Sequence, residues 1–331
     1  MTGGNAAAME QEDVRRRALE EQVAQWLGRT VEAEPVSGDA SFRRYFRFRD
    51  GERSLIGMDA PPPEDCEPFV RVAALFRDAG VHVPEILGQD LERGFLLLTD
   101  LGRRTWLEVL DEHNADERFP RGMEALVRIQ AASRPGVLPE YDEPLLRREL
   151  ELFSEWYLGA HLDLEITPAL RARLDEVFDL LVRHALAQPR VWVHRDYMPR
   201  NLMDADPDPG VIDFQDAVYG PVSYDPVCLF RDAFLSWPEE RVRGWLRDYH
   251  QRACQAGVPV PADPQAFLRD CDLMGAQRHL KVIGIFARIC HRDGKPAYLE
   301  DVPRFFAYLR GAVERNPELA PLGALLAEVA P

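Results

Sequence analysis

Alternation of apolar and polar positions first becomes regular at residues 41 to 48, where SFRRYFRF sets Phe42, Arg44, Phe46 and Phe48 on one side. This predicts a strand. SLIGM, ending at Met58, predicts a second strand, joined to the first through Asp50-Gly51 as a hairpin and broken by Asp59-Ala60-Pro61-Pro62-Pro63. Ahead of them a helix is expected through Trp26 and Leu27 to a stop at Gly28, behind a disordered tail at residues 1–12. Phe69, Val72, Ala73 and Phe76 fall at helical spacing within residues 68–79, and Gly80 stands where a helix-ending glycine belongs. Strand patterns around Ile86 and at 95–100 complete an N-terminal part of residues 13–101, bounded at Asp100-Leu101-Gly102.

From 102 to 331 the pattern becomes that of long amphipathic helices. Leu146, Leu150, Phe153 and Tyr157 mark one face. Thr167 caps another helix with Pro168 in its first position, running past Leu174, Phe178 and Leu181 to Pro189. Leu273, Ala276, Leu280, Ile283, Ala287 and Cys290 mark a late helix. No repeat of solenoid period occurs. The expected fold class is α+β and bilobal, with a small sheet-containing N-terminal part and a larger, mainly helical C-terminal part.

Composition narrows the function classes. The 331 residues exceed what one core usually supports, and 46% of them are apolar, enough to bury two cores. A formal charge of −16 argues against nucleic acid or an anionic membrane as partner. Among the 40 basic residues only Lys281 and Lys295 are lysines; the others are arginines. The cysteines, Cys66, Cys228, Cys254, Cys271 and Cys290, include no C-x-x-C pair, which fits a reducing compartment. The N-terminal residues have no apolar leader pattern, and no run of about 18 apolar residues occurs. A cytoplasmic monomer is expected.

The chemistry concentrates after the Thr167 helix. A short strand, VWV, leads into His194-Arg195-Asp196-Tyr197-Met198-Pro199-Arg200-Asn201, then Leu202-Met203, a turn-rich DADPDPG, and Val211-Ile212-Asp213-Phe214. An H-x-D-x-x-x-x-N loop followed by an apolar strand ending in Asp is the arrangement of the protein-kinase-like catalytic core. Phosphoryl transfer needs a carboxylate that accepts the proton of the attacking hydroxyl, and Asp196 is the candidate catalytic base. Asn201 and Asp213 offer the oxygen ligands that Mg2+ prefers. His194 is expected to hold the loop by hydrogen bonds, Asp225 to cap a helix, and Asp216 to be a loop carboxylate.

ATP is the expected cofactor, with Mg2+, yet neither a G-x-G-x-x-G nor a G-x-x-x-x-G-K-[ST] motif is present. Ser37, Gly38, Asp39, Ala40 and Ser41 form a small polar loop ahead of the first strand that can offer N–H groups and hydroxyls to phosphate. Kinases of this architecture usually carry a lysine on the third strand, where this chain has Leu55-Ile56-Gly57-Met58. Arg44, on the otherwise apolar face, is the expected substitute, with Glu64 or Glu67 as its partner; Arg43 and Arg47 are expected to be solvated. Adenine is expected against Leu98, Thr99, Asp100 and Leu101.

SGDASFRRYFRF, MDAPP, GVHVPEIL, VHRDYMPRNLM, GVIDFQDAVYGPVSYD and QRHLKVIGIFARICHRDGKPAYL together resemble the bacterial anomeric amino-sugar kinases, the N-acetylmuramate/N-acetylglucosamine 1-kinases of peptidoglycan recycling. The likeness runs from about residue 20 to 320. It implies a fold like that of aminoglycoside and choline kinases, and transfer of the ATP γ-phosphate to the anomeric hydroxyl of an N-acetylated sugar. The 1-phosphate would pass to a uridylyltransferase, feeding UDP-N-acetylmuramate synthesis. Met58 in place of the lysine agrees with this family. The late helix carries Arg278, His279, Lys281, Arg288 and Arg292, whose cations suit a lactyl carboxylate. Arg200 and Glu149 are further substrate candidates, and Trp156 and Tyr157 could be platforms for a sugar ring. The alternatives are a kinase of the same fold acting on an aminoglycoside, choline or homoserine, and a nucleotide-binding regulator without catalysis.

Overall fold

The protein is described from a computed structural model covering residues 3–36 and 43–329. The chain divides into two compact units, Met1–Arg104 with Met203–Asp216, and Thr105–Leu202 with Ala217–Pro331. The sequence pattern placed the boundary at Leu101 and assigned 203–216 to the second part; those residues group with the first unit instead.

The first unit opens with α1 (Gly3–Leu27), which ends as Gly28 turns to φ +69°. Helical backbone begins inside the segment expected to be a tail, where Ala6, Ala7, Ala8, Glu10 and Gln11 are good helix formers. Strands β1 (Glu34–Pro35), β2 (Arg44–Asp50) and β3 (Arg53–Asp59) precede α2 (Glu67–Asp78), β4 (Ile86–Asp90) and β5 (Phe95–Thr99). The strands form one antiparallel sheet in the order β1-β2-β3-β5-β4. The β2-β3 hairpin turns through Gly51 at φ +66°. Leu19 and Val23 of α1 pack with Phe46, Phe48, Leu55, Phe95 and Leu97 of the sheet.

In the second unit, α3 (Trp106–Val109), α4 (Ala115–Ala131) and α5 (Glu143–Leu152) come first, and α5 continues as π-helical backbone over Phe153–His161. The capped helix follows as α6 (Pro168–Ala187), its Thr167 hydroxyl accepting the Leu170 N–H at 3.3 Å. Strand β6 (Arg190–Val193) leads into the signature loop and a one-turn 3-10 segment at Pro199–Asn201. The chain then makes a short hairpin, β7 (Leu202–Met203) with β8 (Gly210–Val211), and re-enters the second unit as β9 (Val218–Pro221), which pairs antiparallel with β6. The remainder is α7 (Tyr224–Phe230), α8 (Glu239–Gln255), α9 (Pro264–Asp293), α10 (Val302–Arg315) and α11 (Ala320–Val329). Among the described residues no helix is long and apolar enough to cross a membrane.

The 30-residue α9 is the axis of this unit, with α5 to α8 and α10 packed around it. A helix enclosed on all sides should be apolar all round, yet this one buries Asp270, Asp272, Gln277, Arg278, His279 and Lys281. Asp272 shows how such charges are tolerated: it pairs with Arg231 and Arg315 at 2.8 and 2.9 Å and accepts the Asn316 amide at 3.1 Å. Backbones approach closely at Gly284, where a Cβ would sit 2.3 to 2.4 Å from the carbonyl of Leu152, at the point where α5 turns π-helical.

Backbone-to-backbone contact leaves no room for a methyl group there. Gly284→Ala is expected to destabilise the protein by about 2 kcal/mol or more. Gly244, exposed within α8 and with open space where its Cβ would be, should respond in the opposite sense, Gly244→Ala adding about 0.5 to 1 kcal/mol. Thermal melting of the two variants checks this, and equal shifts would refute the packing account.

Candidate active site

Strand β6 delivers His194 and Arg195 into a loop whose backbone is unusual. Arg195 has φ +76°, a left-handed conformation that costs about 1–3 kcal/mol for a side chain of this kind. Two bonds from one carboxylate hold it. Asp225 on α7 accepts the His194 N–H at 2.7 Å and the Arg195 N–H at 3.0 Å. Burial pushes the Asp225 carboxyl up to about 7, against the pull of these two N–H donors. The sequence suggested an N-cap for this residue. Asp225 lies instead inside the first turn of α7, after Ser223, and reaches 30 residues back along the chain.

The rest of the loop is tied as closely. The buried His194 ring accepts the Asp196 N–H at its Nδ1, 3.3 Å away. The Asp196 carbonyl receives the Met198 N–H at 2.9 Å and the Asn201 side-chain amide at 2.9 Å. The Tyr197 hydroxyl donates to the Gly122 carbonyl at 2.8 Å, and Gly122 stands against Trp106. Asp196 itself is half-buried between these fixed points.

Glu149, a substrate candidate by sequence, belongs to this scaffold. Its buried carboxylate pairs with Arg195 at 2.5 Å and Lys281 at 2.8 Å, and accepts from the Tyr141 hydroxyl and from Gln277 at 3.3 Å. Burial raises its pKa, but Lys281 and then Arg195 outweigh that and hold it down at about 2. Lys281 also meets the Tyr224 hydroxyl at 3.1 Å. Both Glu149 and Lys281 therefore spend their charge inside the protein.

The other substrate candidates separate by environment. Arg278 is buried, with Nη2 at 3.9 Å from Met198 Sδ and Nη1 without a hydrogen-bond partner among the described residues. His279 sits among the rings of Phe305 and Tyr308, and burial, reinforced by Arg278 and Arg231, drives its pKa well down, so it is neutral. Arg288 is half-buried, and Arg292 pairs locally with Asp293 at 2.6 Å. Arg200 lies over the Phe234 ring at 5.2 Å. Trp156 is half-buried in the π-helical segment, whereas Tyr157 stacks on Phe153 at 5.4 Å and is core.

Asp213 belongs to the first unit, as does the segment around it. Its backbone is also left-handed, at φ +63°, and Gln215 donates to its Oδ1 at 2.9 Å. The next residue, Phe214, anchors it by packing on Phe69 and Phe76 of α2, with ring centroids 4.8 and 5.8 Å away. On β2, Arg44 pairs with Asp59, not with Glu64 or Glu67, and shares that fully buried carboxylate with Arg15. Glu64 pairs with Arg43 at 2.8 Å.

Arg43 and Arg47 are not solvated as their alternation suggested. Arg47 is buried because Asp100 at 2.6 Å and the Gly102 carbonyl at 2.9 Å receive its guanidinium. Burial raises the Asp100 carboxyl, but Arg47 and Ser54 hold it below the usual range. Leu98 is paired in the sheet, and the Thr99 N–H is bound to the Glu85 carbonyl at 3.0 Å, so the backbone beyond the strand starts at Asp100 and Leu101. Ser37, Gly38, Asp39, Ala40 and Ser41 lie outside the described residues.

Comparison with known proteins agrees with this geometry. Residues 32–266 match the model of a phosphotransferase enzyme family. An N-acetylmuramate/N-acetylglucosamine kinase of Pseudomonas aeruginosa is 62% identical over 310 residues, covering 93% of this chain and 92% of that protein. One of Neisseria meningitidis is 48% identical over 301 residues, covering 89% of each. Among solved structures, the choline kinase LicA from Streptococcus pneumoniae superposes with a TM-score of 0.61 at 15% identity, over 90% of this chain and 99% of that one, which supports a protein-kinase-like fold. A family match over most of the chain and relatives matching nearly all of it agree, and this chain belongs to the phosphotransferase enzyme family.

Proposed function

We propose that this protein is an ATP-dependent sugar kinase that phosphorylates the anomeric hydroxyl of N-acetylmuramate and N-acetylglucosamine. The observation that carries the reading is the clamped H-R-D-x-x-x-x-N loop, set in a chain 62% identical to a kinase named for those two sugars. Asp196 accepts the proton of the anomeric hydroxyl as its oxygen bonds to the γ-phosphorus. The bond from that phosphorus to the bridging oxygen breaks, and ADP leaves.

Asn201 and Asp213 are the residues that would hold Mg2+. The donor set fits the ion: the Asn201 amide nitrogen is spent on the Asp196 carbonyl, so the side chain offers its oxygen, and Asp213 adds carboxylate oxygens. When bound, the ion offsets the negative charge of the nucleotide phosphates. Arg44, steadied by Asp59, is the cation assigned to the phosphates, with the backbone of Ser37 to Ser41 as their cradle. Asp100 has its carboxylate committed to Arg47, so adenine recognition is assigned to the backbone of Asp100 and Leu101. The product, a sugar 1-phosphate, is a substrate for a uridylyltransferase.

Phosphorus NMR of a reaction with ATP, Mg2+ and either sugar should give a signal coupled to the anomeric proton. No sugar phosphate with either sugar would overturn the substrate assignment and leave an aminoglycoside, choline or homoserine to be tried. Asp196→Asn is expected to lower kcat by at least about 100-fold while ATP still binds, and Asp213→Ala to weaken nucleotide binding as well. Full turnover in either variant would sink the assigned roles.

Glu149→Gln leaves the buried Lys281 and the half-buried Arg195 without their anion, at a cost of about 3–5 kcal/mol. Replacing Lys281 by Met in the same protein should restore part of that stability. Because the folded-state carboxyl is depressed to about 2, its contribution is present above the ordinary Glu pKa of 4.5 and is lost as pH falls from there toward 2. Melting curves across that range should therefore bring Glu149→Gln and the unmodified protein together at low pH; a constant gap would remove the charge argument.

A further inference from the structure

Arg278 is the one cation of the late helix that faces the signature loop with no anion in contact. Arg278 is 1% exposed as a residue and forms no ion pair among the described residues, and one guanidinium nitrogen is buried without a hydrogen-bond partner. The neighbouring cations are committed. Arg195 and Lys281 hold Glu149, Arg231 holds Asp272 and Glu239, and Arg292 holds Asp293. Arg288 has no ion pair either, but it lies ten residues on, about 15 Å along the helix, beside Arg292 and Asp293.

The charges that Arg278 feels are acidic. Asp196, Asp225 and Asp232 all interact with it electrostatically, yet none makes an ion pair with it. Asp232 bonds the N–H groups of Phe234 and Leu235 through Oδ2, and its Oδ1 is buried without a partner. An anionic substrate approaching Asp196 would be repelled by that carboxylate unless a cation offset it. What stands over Arg278 on the loop side is Met198, half-exposed, whose unbranched thioether can swing aside at little cost.

We propose that Arg278 is the specificity-determining residue for an acidic sugar: it receives the substrate's carboxylate, the lactyl group of N-acetylmuramate, as Met198 moves off it. This rests on the sugar-kinase reading and names which cation recognises the acid. Lys281, which the sequence offered equally, is already held inside the protein by Glu149 at 2.8 Å and by the Tyr224 hydroxyl at 3.1 Å, contacts that Arg278 lacks. N-acetylglucosamine has no carboxylate and gains nothing from Arg278 beyond shielding.

The test is the ratio of kcat/KM for N-acetylmuramate over N-acetylglucosamine in the intact protein and in Arg278→Met, a substitution of similar length suited to a buried site. Loss of a charge-assisted bond to the carboxylate should lower that ratio about 10- to 100-fold, through KM for N-acetylmuramate. The same preference should vanish without any mutation when N-acetylmuramate is replaced by its methyl ester, which keeps the experiment decisive if the variant does not fold. An unchanged ratio, with both sugars losing kcat equally, would mean that Arg278 only balances the charge of Asp196, and would overturn the proposal. So would an ester that competes as well as the acid. Failure of the intact protein to phosphorylate either sugar would instead count against the kinase reading itself.

Discussion

A signature loop that carries a left-handed arginine next to Asp196, its proposed base, cannot hold that shape by local preference. The Arg195 backbone costs about 1–3 kcal/mol. The Asp225 carboxylate, receiving two successive N–H groups, offsets this through bonds worth roughly 1.5–3 kcal/mol each when the acceptor is charged. Burial works against the same carboxylate, raising it to about 7, so the clamp is strong only because both of its bonds are made together. Other contacts extend that decision: His194 fixes the Asp196 amide, Asn201 fixes the Asp196 carbonyl, and Tyr197 pins the loop to Gly122.

Glu149 adds the side-chain counterpart. Arg195 is held at its backbone by Asp225 and at its guanidinium by Glu149, so the residue before Asp196 is constrained at both ends. The anion is met by two cations and two neutral donors, Tyr141 and Gln277, so every partner a buried carboxylate needs is supplied and one positive charge is left over. This arrangement ties α5, the loop and α9 into one electrostatic unit. It also accounts for the polar residues on an enclosed helix: Lys281 and Gln277 are there to serve Glu149.

How much of this was legible in the sequence depended on whether a feature is periodic or long-range. The β2-β3 hairpin, the Phe69 helix ending near Gly80, the Thr167 cap and the strand before His194 follow from local pattern and turn chemistry, and each stands where the pattern placed it. The H-x-D-x-x-x-x-N spacing was equally readable. Ion-pair partners were not. Alternation placed Arg47 on a solvated face, but whether a face is open depends on Asp100, 53 residues away. Arg44 took Asp59, its cross-strand neighbour, and not Glu64 or Glu67, the partners expected from the sequence, where nothing local fixes the choice. Asp225 looked like a cap because nothing in Tyr224-Asp225-Pro226 records that its acceptors are needed 30 residues upstream.

The same distinction explains why the basic residues of α9 could be listed from sequence yet not ranked. Helical spacing puts Arg278 and Lys281 on neighbouring positions of one face. What separates them is occupancy of charge: one meets Glu149 at 2.8 Å, while the other lies among carboxylates that it does not touch. Lys281 would have to give up contacts with Glu149 and the Tyr224 hydroxyl, both buried, to reach a ligand. An unpaired guanidinium has the opposite balance. It gains most from an incoming anion, and that asymmetry rather than position along the helix decides which residue can read the substrate's charge.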